Sequence, residues 1–275
     1  MSSQRMPDVS VVTISFNQAA FLAQAIESVV TQQGVDLEYI VVDPGSNDGS
    51  REIIERFRSS IAHAVLEPDN GPGDGLNKGF RLARGRTLHY LNSDDLLQPG
   101  ALAFASNYLD RHRDVDVIVG NGHVIDAHGT KLRRNYSDRF SLRAVAYDAC
   151  VSVQPSTFFR REAFARTAGF NNSNRSNWDG ELLVDMALAG ARFARVDRML
   201  SCHRMHDASI SGSLTLVDAH REYKRRMFEK IMGRSPSWFD PLLARSYRLR
   251  KHLMQPRATL ERLLHGPIVA APPTA

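Results

Sequence analysis

The sequence predicts an α/β protein with a mostly parallel central sheet and helices on both faces. In the first half of the chain, strand-like and helix-like segments alternate. The strand-like segments are continuous apolar runs, which are typical of a parallel sheet buried on both faces. Polar clusters follow two of these runs directly. Because ligands bind beyond the carboxyl ends of such strands, these clusters are the first candidates for a functional site.

The elements of the first half follow one another in order. Residues 9–16 are rich in β-branched side chains and predict the first strand, and apolar residues at helical spacing predict a helix at 19–32. Further strands are predicted at 37–43, 64–67, 87–92 and 115–119. Further helices are predicted at 50–57, with Ser50 as the N-cap, and at 75–83 and 102–111.

The second half is less regular. A hairpin is predicted at 122–134, helices at 161–168 and 180–189, and short strands at 192–196 and 200–204. Beyond residue 218 the pattern is basic and helical, with prolines that interrupt it. The predicted organisation is one domain at 1–217, a helical extension at 218–266 and a disordered tail at 267–275.

The composition limits the class of protein. Of 275 residues, 43% are apolar and 24% are charged, as in soluble globular proteins. No run approaches the roughly 18 apolar residues that a membrane span requires, and the N-terminus lacks the apolar core of a signal peptide. The two cysteines, Cys150 and Cys202, have no metal-type spacing and are compatible with a reducing cytoplasm, which is the predicted location.

The net charge of +5 is unevenly distributed. Residues 218–265 contain 12 Lys and Arg against 5 Asp and Glu, while the rest of the chain contains 23 against 25. A nearly neutral body argues against nucleic acid as a partner. For the basic extension three interpretations stay open: a solvated helical face, peripheral attachment to the anionic inner face of the plasma membrane, or a homodimer interface.

The first polar cluster, D-P-G-S-N-D-G-S at 43–50, follows the second predicted strand. A carboxylate at the end of a strand, here Asp43, can accept a hydrogen bond from the N–H of a nucleotide base. Small residues beside it leave space for a flat ring. The alternative is a solvated strand-to-helix turn, in which Gly, Asn, Asp and Ser are the usual residues.

The second cluster, L-N-S-D-D at 91–95, follows the strand at 87–92. Two adjacent carboxylates repel each other unless a cation compensates them. Mg²⁺ typically binds one or two protein carboxylates together with substrate phosphates. An acidic N-cap would account for one aspartate, but not for Asp94 and Asp95 together with Asn92. The cluster therefore favours a divalent cation, Mn²⁺ or Mg²⁺, as cofactor.

Between these clusters, three glycines around a proline predict a loop before the helix at 75–83. Asp74 precedes this helix, and Lys78 lies in its predicted first turn. A lysine beside free backbone N–H groups suits a phosphate or a sugar hydroxyl. The glycines do not close the first strand-to-helix turn, where a dinucleotide-binding fingerprint would lie, so that interpretation is weak.

The succession V-V-T-I-S-F-N, D-P-G-S-N-D-G-S, P-D-N-G-x-x-D-G-x-N-K-G, A-x-G and L-N-S-D-D resembles the inverting family 2 glycosyltransferases of the GT-A fold. Bacterial members that build surface polysaccharides are especially similar, and the resemblance covers roughly residues 8–211. It implies transfer of one sugar from a nucleotide diphosphate sugar, with UDP as the default, to a hydroxyl of a glycan or lipid-linked acceptor. Processive synthases of this kind carry membrane helices and a Q-x-x-R-W segment, and neither occurs here.

The resemblance also assigns roles to residues. Asp43 matches the carboxylate that reads the base, and Asp94 and Asp95 together match the acids that hold the ribose and the cation. The implied donor-binding set is Asn17, Asp43, Asp74, Lys78, Asn92, Asp94 and Arg204. The implied metal set is Asp94, Asp95 and His206. In the R-x-H-x-x-S segment at 204–209, the histidine completes the metal shell or meets the diphosphate.

The catalytic base implied by the resemblance is Asp179, which opens the helix predicted near 180–189. Inverting transfer needs a carboxylate that removes the proton of the acceptor hydroxyl. Glu181 is the second choice. For both residues the alternative is a non-catalytic role, in which the acidic side chain stabilises the start of the helix. Trp178 is expected either to stack on an acceptor sugar or to lie in the core.

Three positions depart from the family pattern: Pro44, Asn92 and Asp185. Segments 137–149 and 211–218 are candidate lids over the site. Two other functional classes stay open. A nucleotidyltransferase would carry a glycine-rich basic loop after the first strand, which residues 15–18 are not; a sugar-nucleotide-binding protein without catalysis is the other.

Overall fold

The computed structural model describes residues 5–174, 177–206 and 217–266. Three predictions fall wholly or partly outside these residues. They concern the tail at 267–275, most of the candidate lid at 211–218, and the end of the R-x-H-x-x-S segment.

The strands of the described residues form one sheet. They are β1 Val9–Ile14, β2 Leu37–Val42, β3 His63–Val65, β4 Thr87–Asn92, β5 Leu96–Leu97, β6 Val117–Ile125, β7 Lys131–Asn135, β8 Thr157–Arg160 and β9 Phe193–Arg204. Their order is β3-β2-β1-β4-β8-β6-β9-β5, and β7 pairs with β6. The pairs β3–β2, β2–β1, β1–β4 and β6–β9 are parallel. The pairs β4–β8, β8–β6, β5–β9 and β6–β7 are antiparallel. The expected α/β fold with a central sheet is confirmed, and the sheet is mixed, with four parallel and four antiparallel strand pairings.

Helices flank this sheet. They are α1 Ala19–Val30, α2 Ser50–Arg56, α3 Pro72–Leu82, α4 Ala101–Arg111, α5 Leu142–Ala146, α6 Arg161–Ala165, α7 Trp178–Leu188, α8 Val217–Met232, α9 Asp240–Met254 and α10 Pro256–His265. Adjacent residues of β1 show why both faces need cover: Val11 belongs to the apolar cluster that contains α1 and α4, and Val12 to the one that contains α3 and α7. Side chains alternate between the faces of a strand, so a continuous apolar run requires helices on each side.

Three local predictions are wrong. Ser50 is the first helical residue instead of the N-cap, and the carboxylate of Asp48 accepts its N–H at 3.0 Å. Helix α3 begins at Pro72, so Lys78 lies in its second turn. The two short strands predicted after residue 191 are one strand, β9, which stays paired with β6 through register shifts.

The extension is packed on the sheet domain. Met227 and Phe228 of α8 are buried, and Arg226 Nη2 lies 2.6 Å from Glu181 Oε2. In α9, Lys251 Nζ lies 3.1 Å from Asp138 Oδ2. Arg226 and Lys251 are thus ion-paired with the body, and the interpretation as a solvated face does not hold for them.

The candidate lid at 137–149 is a packed part of the body. It contains helix α5, and Ser137 and Tyr147 are buried. Ser137 Oγ accepts the N–H of Val153 at 2.9 Å, which ties the segment to the wall of the sheet domain. The prediction of a lid here is therefore wrong.

Candidate active site

A cavity of about 760 Å³ lies at the carboxyl ends of β1 and β4. Its walls come from the residues after β1, the loop before α3, the end of β4, the segment 152–155 and the first turn of α7. This volume lies within the usual range of roughly 300–1,000 Å³ for small-molecule sites. The position agrees with the expectation that parallel strands carry their site at their carboxyl ends.

Asp94 lines one corner of the cavity, and His206 lies directly beside it without lining the cavity itself. Asp94 Oδ2 lies 3.1 Å from His206 Nε2, and both side chains are largely buried. The ring of Phe21 lies 4.5 Å from the imidazole and fixes its orientation. The fold thus brings together two residues that were predicted to share a metal.

The donor atoms in this corner fit a divalent cation that is bound together with a diphosphate. Carboxylate and imidazole donors suit Mn²⁺, and such ions often complete their shell with substrate phosphates and water. Within the part of the chain that the structure describes, no group of three His, Cys, Asp or Glu side chains could hold a metal unaided. A cation at this corner would therefore take only part of its coordination shell from Asp94 and His206.

Asp95 lies behind this corner and does not line the cavity. Its side chain is fully buried; Oδ1 accepts the backbone N–H of Arg204 at 2.9 Å and lies 3.1 Å from His203 Nδ1. Burial raises the pKa of the Asp95 carboxyl, and the neighbouring His203 opposes that rise. The two aspartates were predicted to act together, and the structure separates them. Asp94 lines the cavity, and Asp95 stabilises the turn through its contacts with His203 and the backbone of Arg204.

Arg204 is a positioning residue, which corrects its prediction as a ligand of the nucleotide sugar. It is fully buried, with Nε donating to the carbonyl oxygen of Asp94 at 2.8 Å and Nη2 to Gln24 Oε1 at 2.8 Å. Nη1 donates to the carbonyl oxygens of Asp126 and Ala127. The guanidinium thereby fixes the turn that carries Asp94.

His203 lines the cavity and was missed by the sequence analysis. The carboxylate of Asp95 raises the pKa of His203 to about 9, with smaller contributions from Asp94 and Asp179. The site therefore contains an imidazolium at neutral pH. Alternation along β9 was the available signal, because Arg204 points into the core and its neighbour must point the other way.

Asp179 lies in the first turn of α7 and lines the cavity. Burial raises the pKa of its carboxyl, which makes the carboxylate a stronger base. Trp178 is buried in the core cluster and also lines the cavity; its core position is confirmed, and stacking on an acceptor sugar stays a prediction. A Cβ on Gly180 would lie 2.4 Å from Tyr223 Oη, which shows that α8 lies directly against this turn.

Glu181 is anchored away from the cavity. It is buried and accepts hydrogen bonds from Asn171 at 3.0 Å, Asn174 at 2.7 Å and Arg226 at 2.6 Å. Burial alone would raise the pKa of Glu181, but these hydrogen bonds and the charge of Arg226 outweigh it and hold the pKa below its ordinary value. The second choice of base is therefore wrong, because this carboxylate is already fully engaged.

Neither Asp43, predicted to read the base, nor Asn17, predicted to bind the donor, lines the cavity. Asp43 is fully buried and accepts the N–H and the hydroxyl of Ser46 at 2.8 and 2.6 Å, while the next residue, Pro44, lines the cavity. Asn17 has a φ of 53°, and its side-chain oxygen accepts the N–H of Asn47 at 3.0 Å. The roles of Asp43 and Asn17 stay predictions.

Asp74 and Lys78 stabilise the loop before α3 and do not line the cavity. Lys78 Nζ donates to the carbonyl oxygen of Pro68 and lies 3.8 Å from Asp74 Oδ2. The carboxylate of Asp74 also accepts the N–H of Asn70 at 3.0 Å. Asn92 does line the cavity, and its amide nitrogen lies 3.3 Å from Gln154 Oε1. Binding of the donor by these residues stays a prediction.

Comparison with known proteins identifies the class. The model of glycosyl transferase family 2 matches residues 10–167, which is more than half of the chain. The chain therefore belongs to this family, and the predicted class of enzyme, a glycosyltransferase, is confirmed.

Curated relatives agree with this assignment. An uncharacterised glycosyltransferase of Nostoc sp. is 26% identical over 227 residues, which is 78% of this chain and 70% of the relative. The succinoglycan biosynthesis protein ExoO of Rhizobium meliloti is 30% identical over 159 residues, or 58% of this chain and 45% of the relative. The chain thus spans less than half the length of ExoO.

Solved structures confirm the GT-A fold. S. aureus TarS 1-349 in complex with UDP-GlcNAc aligns with a TM-score of 0.66 at 16% identity, covering 94% of this chain and 73% of that fragment. A mannosyltransferase of Pyrobaculum calidifontis in complex with GDP-Man and Mn²⁺ aligns with a TM-score of 0.63 at 21% identity, covering 95% and 75%. At these identities the likeness concerns the fold.

Proposed function

We propose that this chain transfers one sugar from a nucleoside diphosphate sugar, with UDP as the base, to a hydroxyl of a glycan or lipid-linked acceptor in the assembly of a bacterial surface polysaccharide or glycolipid. One observation supports this above all: a single cavity is lined by Asp94 and Asp179, and His206 lies 3.1 Å from the Asp94 carboxylate. Family membership and the TarS complex with UDP-GlcNAc support the donor class. The ExoO relative supports the biosynthetic setting.

The proposed reaction is a single displacement with inversion at the anomeric carbon. Asp179 removes the proton of the acceptor hydroxyl as its oxygen forms a bond to that carbon. The bond from carbon to phosphate oxygen breaks, and its electron pair leaves with the nucleoside diphosphate. The burial that raises the pKa of Asp179 favours this proton transfer.

The leaving diphosphate requires positive charge. A divalent cation held by Asp94 and His206 would neutralise part of the charge that develops on it. Among the protein groups, His203 lines the same cavity, and its imidazolium is ion-paired with Asp95. Its hydrogen bond to Asp95 fixes the direction in which it points.

The test is hydrolysis or transfer of UDP-sugar in the presence of Mn²⁺. Asp179→Asn is expected to lower kcat by about 10²–10⁴-fold, the usual contribution of a general base, while UDP affinity stays within about twofold. Asp114→Asn, at an exposed surface position, is the matched control and should be unchanged. Binding of UDP without turnover in the native chain would instead indicate a binding protein.

A thermal-shift screen identifies the donor. Ligands that bind the folded state raise Tm, so UDP, GDP and dTDP sugars are compared with and without Mn²⁺. We expect the largest rise with a UDP-sugar and Mn²⁺, and loss of the Mn²⁺-dependent part in Asp94→Asn. A larger rise with GDP- or dTDP-sugars would overturn the choice of base and leave the class of donor intact.

A further inference from the structure

Helices α9 and α10 each carry several exposed leucines. We call these residues the leucine face; they are Leu242, Leu249, Leu253, Leu260, Leu263 and Leu264. Their side chains are 56–78% exposed. Trp238, just before α9, is 85% exposed. Isolated exposed apolar residues are normal, but several on two consecutive helices mark a binding surface.

The leucines of α9 lie opposite the side that packs on the body. Leu242, Leu249 and Leu253 are spaced by seven and four residues, which places them on one stripe of a helix. The other side of α9 carries Tyr247, whose ring stacks on Tyr147 at 5.0 Å, and Lys251, which is paired with Asp138. The apolar stripe therefore points away from the sheet domain.

Positive charge accompanies the leucine face. Residues 241–266 contain six Lys and Arg and a single acid, Glu261. Arg245, Arg250 and Arg262 are exposed, and no carboxylate of the described residues lies within 4 Å of their side-chain nitrogens. Exposed apolar side chains flanked by arginines are typical of helices that lie in the interface of an anionic bilayer. A second copy of this chain would bring the same positive charge into contact and be repelled.

This surface is connected to the cavity by two hydrogen bonds. Gln255, between α9 and α10, donates from Nε2 to the carbonyl oxygen of Ser137 at 2.9 Å. The hydroxyl of Ser137 accepts the N–H of Val153, which lines the cavity. The helices that carry the leucine face are thus hydrogen-bonded to a segment that contacts a wall of the cavity.

We infer that the leucine face, with Arg245, Arg250 and Arg262, binds the surface of an anionic phospholipid bilayer and presents the cavity to an acceptor anchored there. The choice of acceptor rests on the proposed function, whereas binding to the bilayer does not. In the part of the chain that the structure describes, no helix is both long and apolar enough to cross a membrane.

The test is co-sedimentation of the full chain with vesicles, without donor or acceptor. We expect binding to vesicles of equal parts phosphatidylglycerol and phosphatidylcholine, and little binding to phosphatidylcholine alone. The apolar variant combines Leu242→Ser, Leu249→Ser and Leu253→Ser, and should weaken partition by at least about 10-fold. The charge variant combines Arg245→Gln, Arg250→Gln and Arg262→Gln. It should weaken partition by about 100-fold, since each basic residue near an anionic surface contributes about 1 kcal/mol, or roughly fivefold.

Matched controls change exposed residues elsewhere. The apolar control combines Leu66→Ser, Leu82→Ser and Leu188→Ser. The charge control combines Arg56→Gln, Arg111→Gln and Arg113→Gln. Both controls should bind vesicles like the native chain. Equal loss in the controls, or no binding by the native chain, would overturn the inference. A dimer in light scattering that the apolar variant dissociates, without vesicle binding, would assign the surface to a second copy instead.

Transfer to a soluble acceptor keeps the two proposals distinguishable. Variants of the leucine face should retain transfer to an acceptor in solution and lose it for an acceptor embedded in anionic vesicles. If the native chain transfers sugar to neither acceptor but still binds vesicles, the proposed function is contradicted and the inference of bilayer binding is retained.

Discussion

Two turns at the cavity each carry two carboxylates, and in each turn the two have opposite surroundings. In the turn after β4, Asp94 lines the cavity and Asp95 is fully buried. In the first turn of α7, Asp179 lines the cavity and Glu181 is buried.

The difference lies in what holds the buried member. Asp95 is bound by His203 and by the backbone of Arg204, and Glu181 by two asparagines and Arg226. In both turns a group from a distant element fixes the buried acid, and this fixes the direction of its neighbour. Such supporting contacts keep a functional side chain in its productive geometry. Changes at the buried members should therefore cost stability, and changes at the cavity members should cost activity.

The largest effect is expected for Arg204→Met, which removes the donor that serves four acceptors around the turn after β4. Each buried acceptor left without a partner costs about 1–3 kcal/mol, so we expect a loss of about 4 kcal/mol of unfolding free energy. Urea denaturation measures this, with exposed Arg111→Met as the control. A loss below about 1 kcal/mol would show that the turn does not depend on this guanidinium.

A smaller effect separates the two acids of α7. Glu181→Gln keeps the shape but removes the charge that Arg226 faces, and should cost about 2 kcal/mol of unfolding free energy at pH 7. Asp179→Asn should leave stability unchanged or raise it, because burial disfavours its charged form. Equal destabilisation by both substitutions would break the comparison.

The pH dependence of the same two variants gives a finer test. The pKa of Glu181 is lowered in the folded state, so its contribution is present above its unfolded pKa near 4.5 and is lost as pH falls through the folded value. The pKa of Asp179 is raised, so its charge costs stability above about 3.8, and that cost disappears as pH falls. The deficit of Glu181→Gln should therefore persist at pH 5 and shrink only below 4.5. The advantage of Asp179→Asn should already shrink between pH 7 and pH 4. Urea midpoints across this range decide between the two windows.

The sequence predicted the parallel half of the fold well because its signals are local. Strands β1, β2 and β4 are apolar runs that end in polar turns. Errors occurred where a single turn decided the boundary. The start of α3 depends on Gly71, with φ of 109°, and on Pro72 at the first helical position, which the glycine count alone could not locate.

Strand β9 was divided because Asp197 and Arg198 interrupt its apolar pattern. Its pairing with β6 continues through register shifts that no periodicity within β9 reveals. Non-local pairing of this kind has to be read from the fold.

Of the residues predicted for the site, Asn92, Asp94 and Asp179 line the cavity. The resemblance brought Asp94 and His206 together before the structure did. The resemblance could not predict that Asp94 and Asp95 have different surroundings. The difference arises because β9 brings His203 and the backbone of Arg204 into hydrogen-bonding contact with Asp95. Burial, and not residue type, assigns their roles.

The smallest effect is expected at Gly180, between the two acids of α7. An added Cβ would clash with the hydroxyl of Tyr223, so Gly180→Ala must displace the Tyr223 side chain, or α8 with it. Overpacking lowers the free energy of unfolding by about 1–3 kcal/mol, and the higher helix propensity of alanine raises it by up to about 1 kcal/mol. We therefore expect a net loss of stability of about 1 kcal/mol. In a Tyr223→Phe background the obstructing hydroxyl is gone, and the same substitution should become neutral or stabilising. Urea denaturation of the four chains in this double-mutant cycle measures the coupling. Additive effects would mean that α8 does not rest on the turn that carries Asp179, and the anchoring of this turn would then depend on Glu181 alone.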